Sequence, residues 1–131
     1  MEATKAVLNA GLVQPPGAGQ RITIADLEIT LKVTGAETAG AWALLEYRVP
    51  PHFVGCPRHW HKRFSESFYI LAGTVTLQME ERIFQALPGS FVLMPPGMVH
   101  GFANQEAVPA MLLLVPDEGC SCVGLPVRLD P

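Results

Sequence analysis

Charge is scarce in this chain. Nine Lys and Arg stand against twelve Asp and Glu in 131 residues, a net charge of −3. The basic surface of a nucleic-acid binder is missing, so no DNA or RNA partner is expected. Long apolar runs are lacking too: no stretch approaches the roughly 20 residues of a membrane span, and no basic N-terminal region leads into an apolar one. The expectation is a soluble, unexported protein of the cytoplasm with no membrane partner. Cysteine is limited to Cys56, Cys120 and Cys122. An odd number with two of them flanking Ser121 makes no disulfide framework and fits a reducing compartment. Cys120 and Cys122 have the look of half a zinc site, but no second pair completes four ligands, so they are read as packed or exposed thiols.

What is abundant is apolar side chains, 49% of residues, with twelve glycines and twelve prolines scattered at short intervals. That length and apolar content suffice for one domain with its own core, and punctuation of this kind marks many short strands joined by turns. Leu27, Ile29, Leu31 and Val33 alternate with Glu28, Thr30 and Lys32, as in a half-buried strand. Further strands are expected over Trp42 to Val49, Phe68 to Leu71, Thr74 to Met79, Ile83 to Leu87, Phe91 to Met94 and Ala110 to Val115. The turns at Ala72-Gly73, Glu80 to Arg82, Pro88-Gly89 and Pro95 to Gly97 are local, which predicts antiparallel hairpins between most neighbours and a sandwich or barrel. Asn9 to Gln20 is loop-like, and Met1 to Leu8 is open to a short helix, an exchanged strand or a disordered arm.

Two places hold three of the four histidines. His59 and His61 are two residues apart, so on an extended strand both rings project from one face while Trp60 points away. Alone, such a pair is more often surface or hydrogen-bonded histidines. Glu66 follows five residues after His61 and begins the next strand, where an inward carboxylate can meet the imidazoles; a lone Glu is more often an exposed charge. His100 follows Pro95-Pro96-Gly97 and alone is an ordinary loop histidine. Together, three imidazoles and one carboxylate can form a borderline-soft cage suited to Mn, Fe, Co, Ni, Cu or Zn and poorly suited to Ca or Mg.

The spacing adds a resemblance. His59-Trp60-His61, four residues, Glu66, six residues and Gly73 is similar to the first motif of the cupin superfamily. Gly89, five residues, Pro95-Pro96-Gly97, two residues, His100, three residues and Asn104 reproduces the second. One departure is Phe53, where the first motif usually has glycine, with Gly55 nearest; it touches a turn and not a ligand. The chain thus resembles small single-domain cupins, including the quercetin dioxygenase-like ones. What the resemblance implies is an all-β fold, a small antiparallel jelly-roll barrel, over residues 21–116. Residues 1–20 would be an N-terminal arm or swapped strand, and 117–131 a C-terminal extension packing on the barrel.

The same resemblance assigns His59, His61, Glu66 and His100 as ligands of one divalent transition-metal ion (Fe, Mn, Ni or Zn), with open positions for water, dioxygen or substrate. Glu66 could also serve as a catalytic base if it left the metal. Phe68, Ile70 and Phe102 share the ligands' inward face by two-residue spacing and would line a substrate pocket, or simply fill a small barrel. Pro95-Pro96-Gly97 would aim His100 inward, and Asn104 would stabilise a turn through its side chain. Tyr47, Arg48, Arg58 and His52 are candidates for polar contacts at the mouth, while Met79, Met94, Met98 and Met111 read as packing residues.

Three functions follow from such a site. The first is a metal-dependent dioxygenase acting on a small organic substrate, an aromatic or a diketone among the candidates. In the second the metal is only a Lewis acid, in an isomerase, cyclase, decarboxylase or hydrolase. The third is a small-molecule binding module without turnover. Cupin barrels usually pair, so a homodimer is expected, joined through the N-terminal strands with Trp42 and Leu44.

Overall fold

The computed structural model describes residues 6–8, 11–55 and 65–116. They form eleven strands: β1 (Ala6–Leu8), β2 (Gly11–Val13), β3 (Gln20–Ile24), β4 (Leu27–Val33), β5 (Leu44–Val49), β6 (Glu66–Ala72), β7 (Val75–Met79), β8 (Arg82–Ala86), β9 (Phe91–Met94), β10 (His100–Ala103) and β11 (Ala110–Pro116). One 3-10 turn, Gly35–Glu37, lies between β4 and β5. Among the described residues no helix is long and apolar enough to cross a membrane.

The strands build a jelly roll of two antiparallel sheets. One has six strands in the order β3-β4-β5-β11-β6-β9, the other three in the order β10-β7-β8. Alternation explains which side faces in. In β5, Leu45, Tyr47 and Val49 are buried while Arg48 is exposed; in β11, Ala110, Leu112 and Leu114 are buried. Successive residues of a strand point to opposite faces, so the register turns these positions into rows. Leu31, Leu45, Leu114, Phe68 and Val92 form one row across five strands, and Pro116, Glu66 and Met94 lie on the next inward row along β6. The sheets meet at Phe102, whose ring lies edge-on to Phe68 at 5.6 Å and tilted to Phe53 and Tyr47 at 5.9 and 6.3 Å. Offset aromatic contacts of this kind add about 0.5–1.5 kcal/mol each beyond the area they bury.

The turns behave differently from expectation. Of the four short turns named above, the one between β7 and β8 closes a hairpin. Those after β6, β8 and β9 instead carry the chain from one sheet to the other. A tight turn shows where a strand ends, but not which strand it pairs with, because pairing is settled by distant partners. Gly73 makes the first of these crossings at φ +75°, where a Cβ would lie 2.7 Å from the Pro109 carbonyl oxygen and 2.8 Å from Ala110 Cα. Only glycine fits there.

Strand β3 falls at the edge of the stretch read as a loop. It forms a hairpin with β4 through Ala25 and Asp26, both at positive φ (50° and 70°). That is the backbone of a two-residue hairpin turn without its usual Asn-Gly signature, so the signal was hidden. In the N-terminal arm, β1 folds back antiparallel on β2 of the same chain, with Ala6 opposite Val13.

Candidate metal centre

Glu66 opens β6 and His100 opens β10, so the two come from different sheets. Both side chains turn into the barrel, each residue only 2% exposed, with Glu66 Oε1 2.9 Å from His100 Nε2. Glu66 lies two residues before Phe68, and His100 two before Phe102, so each shares the face of its aromatic neighbour. Met94 is the cross-strand partner of Glu66 and Met79 that of His100.

The turn before β10 prepares the histidine. Met98 N–H donates to the Pro95 carbonyl at 3.3 Å, with Gly97 at φ +85°. The Met98 carbonyl then lies 3.0 Å from His100 Nδ1. A carbonyl only accepts, so Nδ1 carries a proton and donates it, and in the neutral ring Nε2 keeps its lone pair. That lone pair faces a carboxylate oxygen.

Two acceptors cannot rest against each other in a water-poor interior; a cation must be shared between them. A proton makes the pair an imidazolium–carboxylate bridge, whose desolvation cost leaves little net stability. A metal ion satisfies both lone pairs, and the arrangement suits one. A ligating histidine almost always donates its other N–H to a carbonyl or carboxylate, as His100 does to Met98. The donor set therefore fits a transition metal. That backbone oxygen was beyond the reach of sequence reasoning, which sees side chains.

The other two expected ligands, His59 and His61, lie outside the described residues, as do Arg58 and the three cysteines. Among the described residues no group of three or more His, Cys, Asp or Glu comes together. Phe68, Ile70 and Phe102 are buried in the core. Tyr47 also points inward, but Arg48 lies on the outer face, 3.8 Å from Glu28, and cannot serve the barrel interior. His52 is exposed, with its backbone at φ +56°.

Asn104 holds backbone and no ligand. Its buried amide donates to the carbonyls of Pro50 at 3.1 Å, Val108 at 2.9 Å and Val49 at 3.4 Å, and its Oδ1 accepts from Glu106 N–H at 3.0 Å. Met94 is in the core, and Met79 and Met98 pack against it. The cavity of about 490 Å³ beside Gln14, Leu31 and Glu37 lies at the β4 end of the six-stranded sheet and includes neither Glu66 nor His100.

A family model described as "Cupin domain" matches residues 45–116. No curated protein sequence matches the chain. Among solved structures, TT1209 from Thermus thermophilus is 29% identical, with a TM-score of 0.54 over 58% of this chain and 71% of that one. A predicted oxalate decarboxylase from Thermotoga maritima is 17% identical, with a TM-score of 0.67 over 75% of this chain and 90% of that one. The polyketide cyclase RemF from Streptomyces resistomycificus is 21% identical, with a TM-score of 0.62 over 79% of this chain and 70% of that one. At 17% and 21% identity the last two likenesses establish shared fold alone.

Proposed function

The chain belongs to the cupin family, and from that premise we propose that it is a metal-dependent enzyme of dioxygenase type acting on a small organic substrate. Glu66, His100, His59 and His61 would hold one divalent transition-metal ion. The observation that carries the reading is the buried Glu66–His100 contact of 2.9 Å, with Nδ1 committed to the Met98 carbonyl. When bound, the ion supplies Lewis acidity and, if redox-active, electron exchange with dioxygen.

The chain's own residues do the rest. Met98 O keeps the His100 ring in one orientation and tautomer, so that Nε2 is presented without reorganisation. Phe68, Ile70 and Phe102, packed in the core, would exclude water beside the centre. Glu66, were it to leave the ion, would be the described carboxylate at hand to take a proton from a substrate.

The test is oxygen uptake by protein loaded in turn with Fe(II), Mn(II) and Ni(II), against a panel of diketones, flavonols and catechols. Uptake with any of these, abolished in His100→Ala, supports the reading. No uptake by any loaded form counts against it. A second reading, Lewis-acid catalysis without oxygen, is favoured by the likeness to a predicted oxalate decarboxylase and a polyketide cyclase. Turnover by the zinc-loaded protein under anaerobic conditions would decide for it.

A further inference from the structure

The cavity of about 490 Å³ at the β4 end of the six-stranded sheet is of a size that holds a small organic molecule. Two short loops wall it. On one side the turn at residues 15–18 closes through Ala18 N–H, which donates to the Pro15 carbonyl at 3.0 Å. Lys32 Nζ, reaching over from β4, ties the same turn down by donating to the carbonyls of Pro15 at 3.1 Å and Ala18 at 2.9 Å. On the other side the Gly35–Glu37 turn is fixed by Glu37 Oε1, which accepts from Thr34 N–H at 3.0 Å and from Thr34 Oγ1 at 3.2 Å. Leu31 and Gln20, opposite each other in the register of β4 and β3, lie between the walls. Walls held by such bonds keep their shape without a ligand, so little ordering opposes binding.

The lining selects by what it holds. Two amides, Gln14 and Gln20, stand with the Glu37 carboxylate beside the apolar Leu31, and among the described residues that line the cavity none is basic or aromatic. An anion would meet Glu37 with no cation in the lining to hold it, and a flat aromatic would find no ring to stack on. The Lys32 ammonium, bound to the opposite wall, offsets the Glu37 charge, which favours a neutral ligand. One atom calls for a donor. Gln14 Oε1 is the one buried side-chain nitrogen or oxygen among the described residues that has no hydrogen-bond partner. A buried acceptor left in that state costs stability and requires a reason. A ligand hydroxyl in the cavity supplies one, meeting the oxygen after a half-turn of the amide.

We propose that this cavity is a second binding site, which takes a neutral polyhydroxylated molecule of the sugar or sugar-alcohol class. An amide presents a donor and an acceptor side by side, and a hydroxyl both gives and takes a hydrogen bond, so Gln14 and Gln20 match adjacent hydroxyls while Glu37 accepts from a third. Leu31 lies against the ligand's carbon skeleton. The site is separate from the metal centre. Leu31, Leu45, Leu114 and Phe68 stand on one row, so Leu31 is three strand spacings, roughly 14 Å along the sheet, from Phe68. A ligand over Leu31 therefore leaves the Glu66–His100 centre open.

The test follows amide resonances of the nitrogen-15-labelled full chain titrated with D-glucose, D-mannose, sorbitol and maltose. At least one should bind saturably, with shifts centred on residues 14, 18–20 and 34–37. Glucuronate, a sugar ring carrying a carboxylate, should bind at least about tenfold more weakly than the best of them. Gln14→Leu should weaken binding at least about tenfold and also raise the melting temperature, because it removes the unmet acceptor. A glutamine with a purely structural role would lower that temperature when replaced. No saturable shift with any of the four overturns the proposal, as do shifts centred on Glu66 and His100, glucuronate binding as tight as the best neutral ligand, or unchanged binding by Gln14→Leu. Should that variant fail to fold, Ala36→Phe decides: a ring that fills the cavity should abolish the shifts, and binding that survives it overturns the site.

Discussion

Glu66 Oε1 lies 2.9 Å from His100 Nε2 in the buried interior, while His100 Nδ1 is held 3.0 Å from the Met98 carbonyl. Sequence places the two residues 34 positions apart. Their meeting leaves one place for a shared cation, and the nature of that cation can be measured.

Elemental analysis of protein purified without added metal or chelator should find close to one transition-metal ion per chain. In His100→Ala and Glu66→Gln the content should fall at least about tenfold, since even a supporting partner of a metal ligand is worth 10–100-fold in affinity. Chelation should lower the melting temperature of the wild type, and adding metal back should restore it, because a ligand bound only by the folded state stabilises that state. Equal metal content in wild type and both variants would leave a proton as the shared cation.

Asn104 should prove important for folding and not for metal. Asn104→Ala removes the donor to the Pro50 and Val108 carbonyls and the acceptor for Glu106 N–H, and should cost about 2–4 kcal/mol, read from denaturant melts. Asn104→Asp should cost more than the alanine, because it points a carboxylate oxygen at carbonyls that had received an N–H. An aspartate variant as stable as the wild type would sink this account.

The glycine turns should separate by what surrounds them. Gly73→Ala drives a methyl against the Pro109 carbonyl and Ala110 backbone and should cost well over about 2 kcal/mol or prevent folding. Gly89 has a similar positive φ of 91° but nothing within 4 Å of the added methyl, so Gly89→Ala should lose only about 1–2 kcal/mol of backbone strain. Equal losses at the two positions would mean that crowding at the β6–β7 crossing contributes nothing.

Phe102 joins the two sheets through Phe68, Phe53 and Tyr47. Phe102→Ala should lower stability by about 3–5 kcal/mol, whereas Phe102→Leu, which refills most of the volume, should lose about half of that or less. Calorimetric melts of the two variants would show the gap, and an absence of any gap would mean that the ring edges do not link the sheets.

Much of this was legible beforehand because it is local. Period-two alternation marks Leu27–Val33, and the turn residues on either side mark Phe91–Met94, as strands with the bounds observed, while the polar turn before it marks Glu66 as the first residue of the next strand. Residue type and spacing alone singled out Glu66 and His100 and pointed to the cupin family, because ligand chemistry and turn length are properties of short stretches. Tertiary structure decided what depends on distance. It assigned three of the four short turns to crossings between sheets, sent Arg48 to the outer face, and recruited the Met98 carbonyl to the His100 ring. It also set Gln14 and Glu37 on the walls of one cavity, though β3 and β4 separate them in sequence. Alternation records that a side chain turns away from its neighbours along the chain, whereas the strand it will lie against is set by packing over the whole barrel, and no short stretch carries that information.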